Sequence, residues 1–235
     1  MTNTRLQLSA WALAVTALLT GCGPVTTSSQ GRIPSVVMAS QQQIDQARAL
    51  VDQLPVKGRS AATGYSTNLF LPGGRWPSTG HGCTVRDQLL RRDGFDLTMS
   101  TKRPCHPTAG KIHDPYSGQV IDLRDAEAEH IVARKDAFTT GAAPDTFTPT
   151  RQWPTVEALQ QAIGRDPDNL LMVTGRLNSQ KQESNIASWE PPNKAYRCTY
   201  AVKIVLVKAR YGLWTVPAEN TRLRQRLDSC PTPAK

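Results

Sequence analysis

The sequence predicts an α+β fold, one domain stapled by disulfides, and three observations carry that expectation. Strand-like and helix-like stretches are mixed without the regular alternation of a doubly wound sheet. The composition, 39% hydrophobic and 20% charged, is globular on the polar side, which excludes wholesale disorder and a multi-span membrane protein. Cys83, Cys105, Cys198 and Cys230 form an even set beyond the N-terminal region. No internal repeat is visible.

Residues 1–21 carry one base, Arg5, and an apolar run from about Leu6 to Leu19. That run is too short for a comfortable membrane span and fits a signal-peptide core. Leu19-Thr20-Gly21-Cys22 resembles the lipobox of bacterial lipoproteins, which implies a lipid on Cys22 and a chain exported to the outer face of the membrane. Residues 22–39, rich in Gly, Pro, Ser and Thr, read as a flexible tether, so the folded domain is 40–235. Export favours two disulfides, with three connectivities open; sequence-local pairing, Cys83–Cys105 and Cys198–Cys230, is the simplest. The rival for the first pair is a zinc quartet of His81, Cys83, Cys105 and His106, which lacks the usual Cys-x-x-Cys spacing.

Along the domain, Ile44, Ala47, Val51 and Leu54 recur at helical spacing between a capping Ser40 and the stop at Pro55. Residues 56–82 read as an irregular packed lead-in, Val85 to Leu90 as a short helix, and Gln119 to Leu123 as a strand. Thr155 to Arg165 is a helix opened by its threonine; Asn169 to Thr174 is a short buried strand. Ser179 to Ser188 is expected to be helical, Tyr200 to Lys208 to be the best strand of the chain, and Ala218 to Leu227 an amphipathic helix. On that strand Lys203 and Lys208 would point to opposite faces.

The net charge is +9, and Arg176 to Lys235 contributes +7 of it from 11 bases and 4 acids. Such a surplus favours a polyanionic partner or an acidic membrane surface. Nucleophile motifs and a Gly-rich phosphate loop are absent. His81, His106 and His113 lie in a loop-rich region and read as structural or surface residues. The six acids from Asp114 to Asp136 lack the alternation of a calcium loop and read as solvated charge.

Three polar islands remain: Glu129-His130-Ile-Val, Asp168-Asn169-Leu-Leu and Asn178-Ser-Gln-Lys181. Taken singly they are a structural histidine, a turn asparagine and a helix cap. In order, a carboxylate–histidine pair at a strand end, an asparagine entering a second strand and an asparagine opening a helix describe a ββα-metal finger, with its core at about 119–188. Here the chain resembles the HNH nuclease superfamily, and more narrowly the exported bacterial proteins related to the C-terminal domain of GmrSD restriction endonucleases. The resemblance runs from about Leu54 to Cys230. It also takes in Gly82-Cys83-Thr-Val-Arg86, Arg92-Asp93, Asp114-Pro-Tyr-Ser-Gly118, Trp189-Glu-Pro-Pro and Tyr196-Arg-Cys198-Thr-Tyr200. Two features depart from the common pattern: Glu129 stands where Asp is usual, and the segment between His130 and Asn169 is long.

The resemblance implies a divalent-metal-dependent endonuclease acting on DNA, or RNA. It makes His130 the general base and gives Asn169 the task of fixing the hairpin and orienting it. Glu129 and Asn178 would hold Mg²⁺ or Mn²⁺ through oxygen, and Lys181 would grip a neighbouring phosphate. Basic residues of the tail, Arg197, Lys203, Lys208 and Arg210, would add sequence-independent affinity for nucleic acid. The competing expectation is an exported lipoprotein that keeps the scaffold as a silent binding module for nucleic acid, cell wall or protein.

Overall fold

The computed structural model describes residues 36–231; the leader, Cys22 and most of the tether lie outside them. Helix α1 (Gln41–Val51) starts with a capping box, Ser40 and Gln43 each accepting the other's backbone N–H, and buries Ile44, Ala47 and Val51. An irregular stretch with two short 3₁₀ turns leads to the β1 (Ser78–Gly80) and β2 (Cys83–Thr84) ribbon. Thr84 and Asp87 cap α2 (Val85–Asp93) in the same reciprocal way. Strands β3 (Gly94–Met99), β4 (Pro107–His113) and β5 (Val120–Asp122) form an antiparallel sheet in that order. Strand β6 (Ala126–His130) follows, then α3 (Arg134–Ala137) and α4 (Val156–Arg165), before the chain returns as β7 (Leu170–Thr174). Three helices close the chain: α5 (Gly175–Lys181), α6 (Arg197–Arg210) and α7 (Pro217–Asp228).

The β6–β7 pair is the centre of the design. The two strands are antiparallel, with Glu129 opposite Leu171 and His130 opposite Leu170. Because side chains alternate, the pair is buried on both faces. Leu171 and Val173 enter a large core with α1, α4, α6 and α7, while Leu170 and Met172 enter a smaller one with Leu89, Leu90 and Ile112. A strand covered twice has no polar face, which explains the unbroken apolar run 170–173. Several residues of the family-like pattern serve this placement. Arg92 donates to the carbonyls of Pro167 (2.6 Å) and Leu170 (2.7 Å), and Asp93 accepts from Met172 N, so α2 clamps the entry of β7.

Two elements differ from expectation. Tyr200 to Lys208 is not a strand but lies within helix α6. Its run of β-branched residues suits a strand, yet α6 packs against both α1 and α7 and buries Tyr200, Ala201, Val202, Ile204, Val205 and Val207. A helix enclosed on most sides loses its amphipathic signature, and a short apolar run then reads the same in either conformation. Lys203 and Lys208 therefore lie on a helix and not on opposite faces of a strand. The helix expected over 179–188 instead begins at Gly175 and ends at Lys181, where Gln182 turns to φ 49°. Asn178 therefore sits inside the helix rather than at its start.

The cysteines pair as Cys83–Cys105 and Cys198–Cys230, and the first pair overturns the zinc quartet. The acids of 114–136 are not all solvated. Asp114, Glu129 and Asp136 are buried, each engaged by a backbone N–H or a cation.

Candidate functional site

A cavity of about 260 Å³ opens beside the end of β6, with His130, Glu129 and Asn178 in its wall together with Tyr65, Arg134 and Glu183. Three of the residues singled out in the sequence thus meet at one place. Strand β6 delivers the first two, and α5, which follows β7 without a loop, delivers the third.

The His130 ring is held twice. Its Nε2 lies 2.9 Å from the Gly164 carbonyl at the end of α4, and the Trp76 indole stacks on it with planes 13° apart and centroids 6.2 Å away. A carbonyl only accepts, so Nε2 must donate, and the neutral ring keeps its lone pair on Nδ1. Burial, and next the Arg134 guanidinium, push the imidazole pKa down from 6.5 to about 3. At neutral pH His130 is uncharged and held in a fixed tautomer.

Asn169 stands behind the cavity. Fully buried, it accepts from Val132 N at 2.8 Å and donates to Val132 O (3.3 Å) and Ile163 O (3.4 Å). Its own carbonyl accepts from Ile131 N at 2.8 Å. The side chain acts as one more rung beyond the last strand pair, tying the segment after His130 to the start of β7. It fixes the backbone just beyond His130 without facing the cavity.

Lys181 does not lie where a phosphate grip requires. It has no exposure, and its Nζ is 2.5 Å from Glu129 Oε1 and 2.9 Å from the His130 carbonyl oxygen. Burial raises the Glu129 carboxyl above its usual 4.5, with the Lys181 ammonium opposing. The charge facing the cavity from a cation is instead that of Arg134, half-buried and without a carboxylate partner among the described residues. Arg134 follows Ile131-Val132-Ala133 directly, so its nearness to His130 was legible; Trp76 and Gly164, far apart in sequence, gave no such signal.

The basic tail is largely spent on internal pairs. Lys208 is buried between Asp136 (2.8 Å) and Glu219 (3.0 Å), Arg210 pairs with Asp166 and Asp168, and Arg197 with Glu190. Of the four, only Lys203 has no carboxylate within salt-bridge distance among the described residues, and burial lowers its pKa.

The donors for a cation are few. Among the described residues no three His, Cys, Asp or Glu side chains gather as a metal-binding group. Glu129 keeps its second carboxylate oxygen, and Asn178 keeps its amide oxygen because Nδ2 donates to Glu127 at 2.8 Å. Two hard oxygen donors suit a cation such as Mg²⁺, which takes one or two protein ligands and completes its shell with water and phosphate.

No curated protein and no solved structure matches the chain. Among known families, residues 86–226 match the GmrSD restriction endonucleases, C-terminal domain, a span that includes every cavity residue named above except Tyr65. With more than half its length matched, and with His130, Asn169 and Asn178 all inside the matched span, the chain belongs to the GmrSD restriction endonuclease C-terminal domain family.

Proposed function

We propose that this protein is an HNH-type endonuclease that hydrolyses phosphodiester bonds of DNA, or RNA, with a divalent cation. The observation that carries the reading is the setting of His130: its Nε2–H is spent on the Gly164 carbonyl, which leaves Nδ1 as the ring's acceptor beside a polar cavity shared with Glu129 and Asn178. Support also comes from the order β6, β7, α5, two antiparallel strands followed by a helix, with α3 and α4 inserted between the strands.

In this mechanism a water beside Nδ1 gives up its proton to His130 as it attacks phosphorus. The Nε2–H to Gly164 bond keeps the ring from turning its other nitrogen to the water. Glu129 and Asn178 would hold Mg²⁺ or Mn²⁺, whose chemistry when bound is to stabilise the leaving 3′ oxygen. Arg134 takes over the phosphate contact first given to Lys181, drawing the anionic backbone to the cavity.

The endonuclease so proposed acts outside the cytoplasm. Two disulfides suit an oxidising compartment, and the Leu19–Cys22 motif suits lipidation of Cys22 and attachment to the outer face of the membrane, or secretion. Among the described residues no helix is long and apolar enough to cross a membrane. A silent binding module remains the second reading, favoured by the lysine already seated on Glu129. Supercoiled plasmid incubated with the full chain decides between them. The nuclease reading expects nicking with Mg²⁺ or Mn²⁺ and none with EDTA; intact plasmid under all three conditions supports the module.

A further inference from the structure

Lys181 is a long cation with no exposure at the end of a seven-residue helix, and such a group persists only where its charge and donors are satisfied. Both its partners belong to one dipeptide. The ammonium meets the Glu129 carboxylate and the main-chain carbonyl of His130, the last peptide of β6. That carbonyl belongs to the closing residue of the ladder, which runs from Ala126–Thr174 to His130–Leu170, with no strand pair beyond it. Asn169 holds the next residues, Ile131 and Val132, from the other side. Ring contacts at Gly164 and Trp76 set the rotation of the imidazole, but neither sets the height of the peptide that bears it.

We propose that Lys181 is a positioning residue for His130, its buried ammonium fixing the His130–Ile131 peptide and the Glu129 side chain so that Nδ1 is presented to the cavity. The proposal rests on the nuclease reading of the site and deepens it. Lys181 touches neither substrate nor reacting atoms. Its length is needed because α5 must reach the β6 backbone, and the extra methylene of Glu129 over aspartate lets the carboxylate meet it. Arginine could not replace it, since a guanidinium is larger than a fully enclosed ammonium and asks for five bonds in a plane.

The test is Lys181→Met in the full chain, which keeps the volume and removes the charge. Positioning predicts that kcat for plasmid cleavage falls at least about tenfold, while KM and the slope of log affinity against log salt stay as in wild type. Hydrogen exchange should quicken at residues 126–133 and remain unchanged in α7. Lys181→Arg should not restore kcat. A raised KM with a salt slope lower by about 1, rescued by arginine, would show a phosphate contact and overturn the proposal; so would a variant indistinguishable from wild type. If Lys181→Met fails to fold, the double variant Glu129→Gln/Lys181→Met, which leaves no unpaired buried charge, is compared with Glu129→Gln alone: faster exchange at residues 126–133 in the double variant is expected, and equal exchange would overturn the proposal. If the wild type itself cleaves nothing, the nuclease reading fails, and the brace stands or falls on the exchange at 126–133 alone.

Discussion

His130 contrasts with the histidines outside the cavity. His106 is tied to the buried Asp87 carboxylate at 2.6 Å, beside the Cys83–Cys105 bridge. His130 is given only a carbonyl, so nothing negative is placed to favour its protonated form. The folded chain therefore refuses a proton that the unfolded chain accepts between pH 6.5 and about 3, and stability is lost as pH falls through that window. Glu219, pushed by burial up to about 7, works in the opposite sense: its contribution is present below 4.5 and lost as pH rises through about 7. The difference between wild type and His130→Asn isolates the histidine. In denaturant unfolding with EDTA, the unfolding free energy of wild type relative to the variant should decline on acidification below 6.5, by at most about 1.4 kcal/mol per pH unit. A difference independent of pH would contradict the assigned burial. At this scale the sequence singled out His130, Glu129 and Asn178, which meet at one cavity, and Asn169 behind it, because their order along the chain is itself a pattern. It could not carry the burial of Lys181, which depends on where α5 lies against β6 and on nothing local.

Elements were legible where their ends are chemical. Ser40 and Pro55 bracket α1, and Thr155 opens α4 by accepting from Ala158 N. They were obscure where tertiary cover decides, as in α6, whose enclosure erased its periodicity. Strands β3 and β4 are irregular in register and carry glycines at 94 and 110, so no alternation marked them. The same dependence on cover makes α4 part of the site. Gly164 offers its carbonyl to His130, and a Cβ there would sit 2.2 Å from the Phe70 carbonyl oxygen. Because the obstacle is backbone, Gly164→Ala should shift the end of α4, cost about 1–3 kcal/mol, and lower kcat more than it raises KM. A variant of full stability and activity would show that the helix end can yield without disturbing the ring.

At the scale of the whole molecule, the net charge of +9 overstates what is offered to a partner, because Lys208, Arg210, Arg197 and Arg226 are committed to acids within the fold. The Cys198–Cys230 bridge joins the start of α6 to the residues just beyond α7, across a sequence separation of 32. Replacing both cysteines by alanine should cost roughly 3–4 kcal/mol, read from chemical unfolding. A loss under about 1 kcal/mol would mean that packing of α6 on α7 already restrains the unfolded chain. The register of β6 on β7 and the helix α5 that follows place His130 beside Glu129 and Asn178. The most direct test is the single-turnover rate of plasmid cleavage in Mg²⁺ by wild type and by His130→Ala, with binding measured in parallel. Loss of at least about a hundredfold in rate, with affinity for the plasmid kept, is the predicted result; an undiminished rate in the variant would contradict the assignment of His130 as the base.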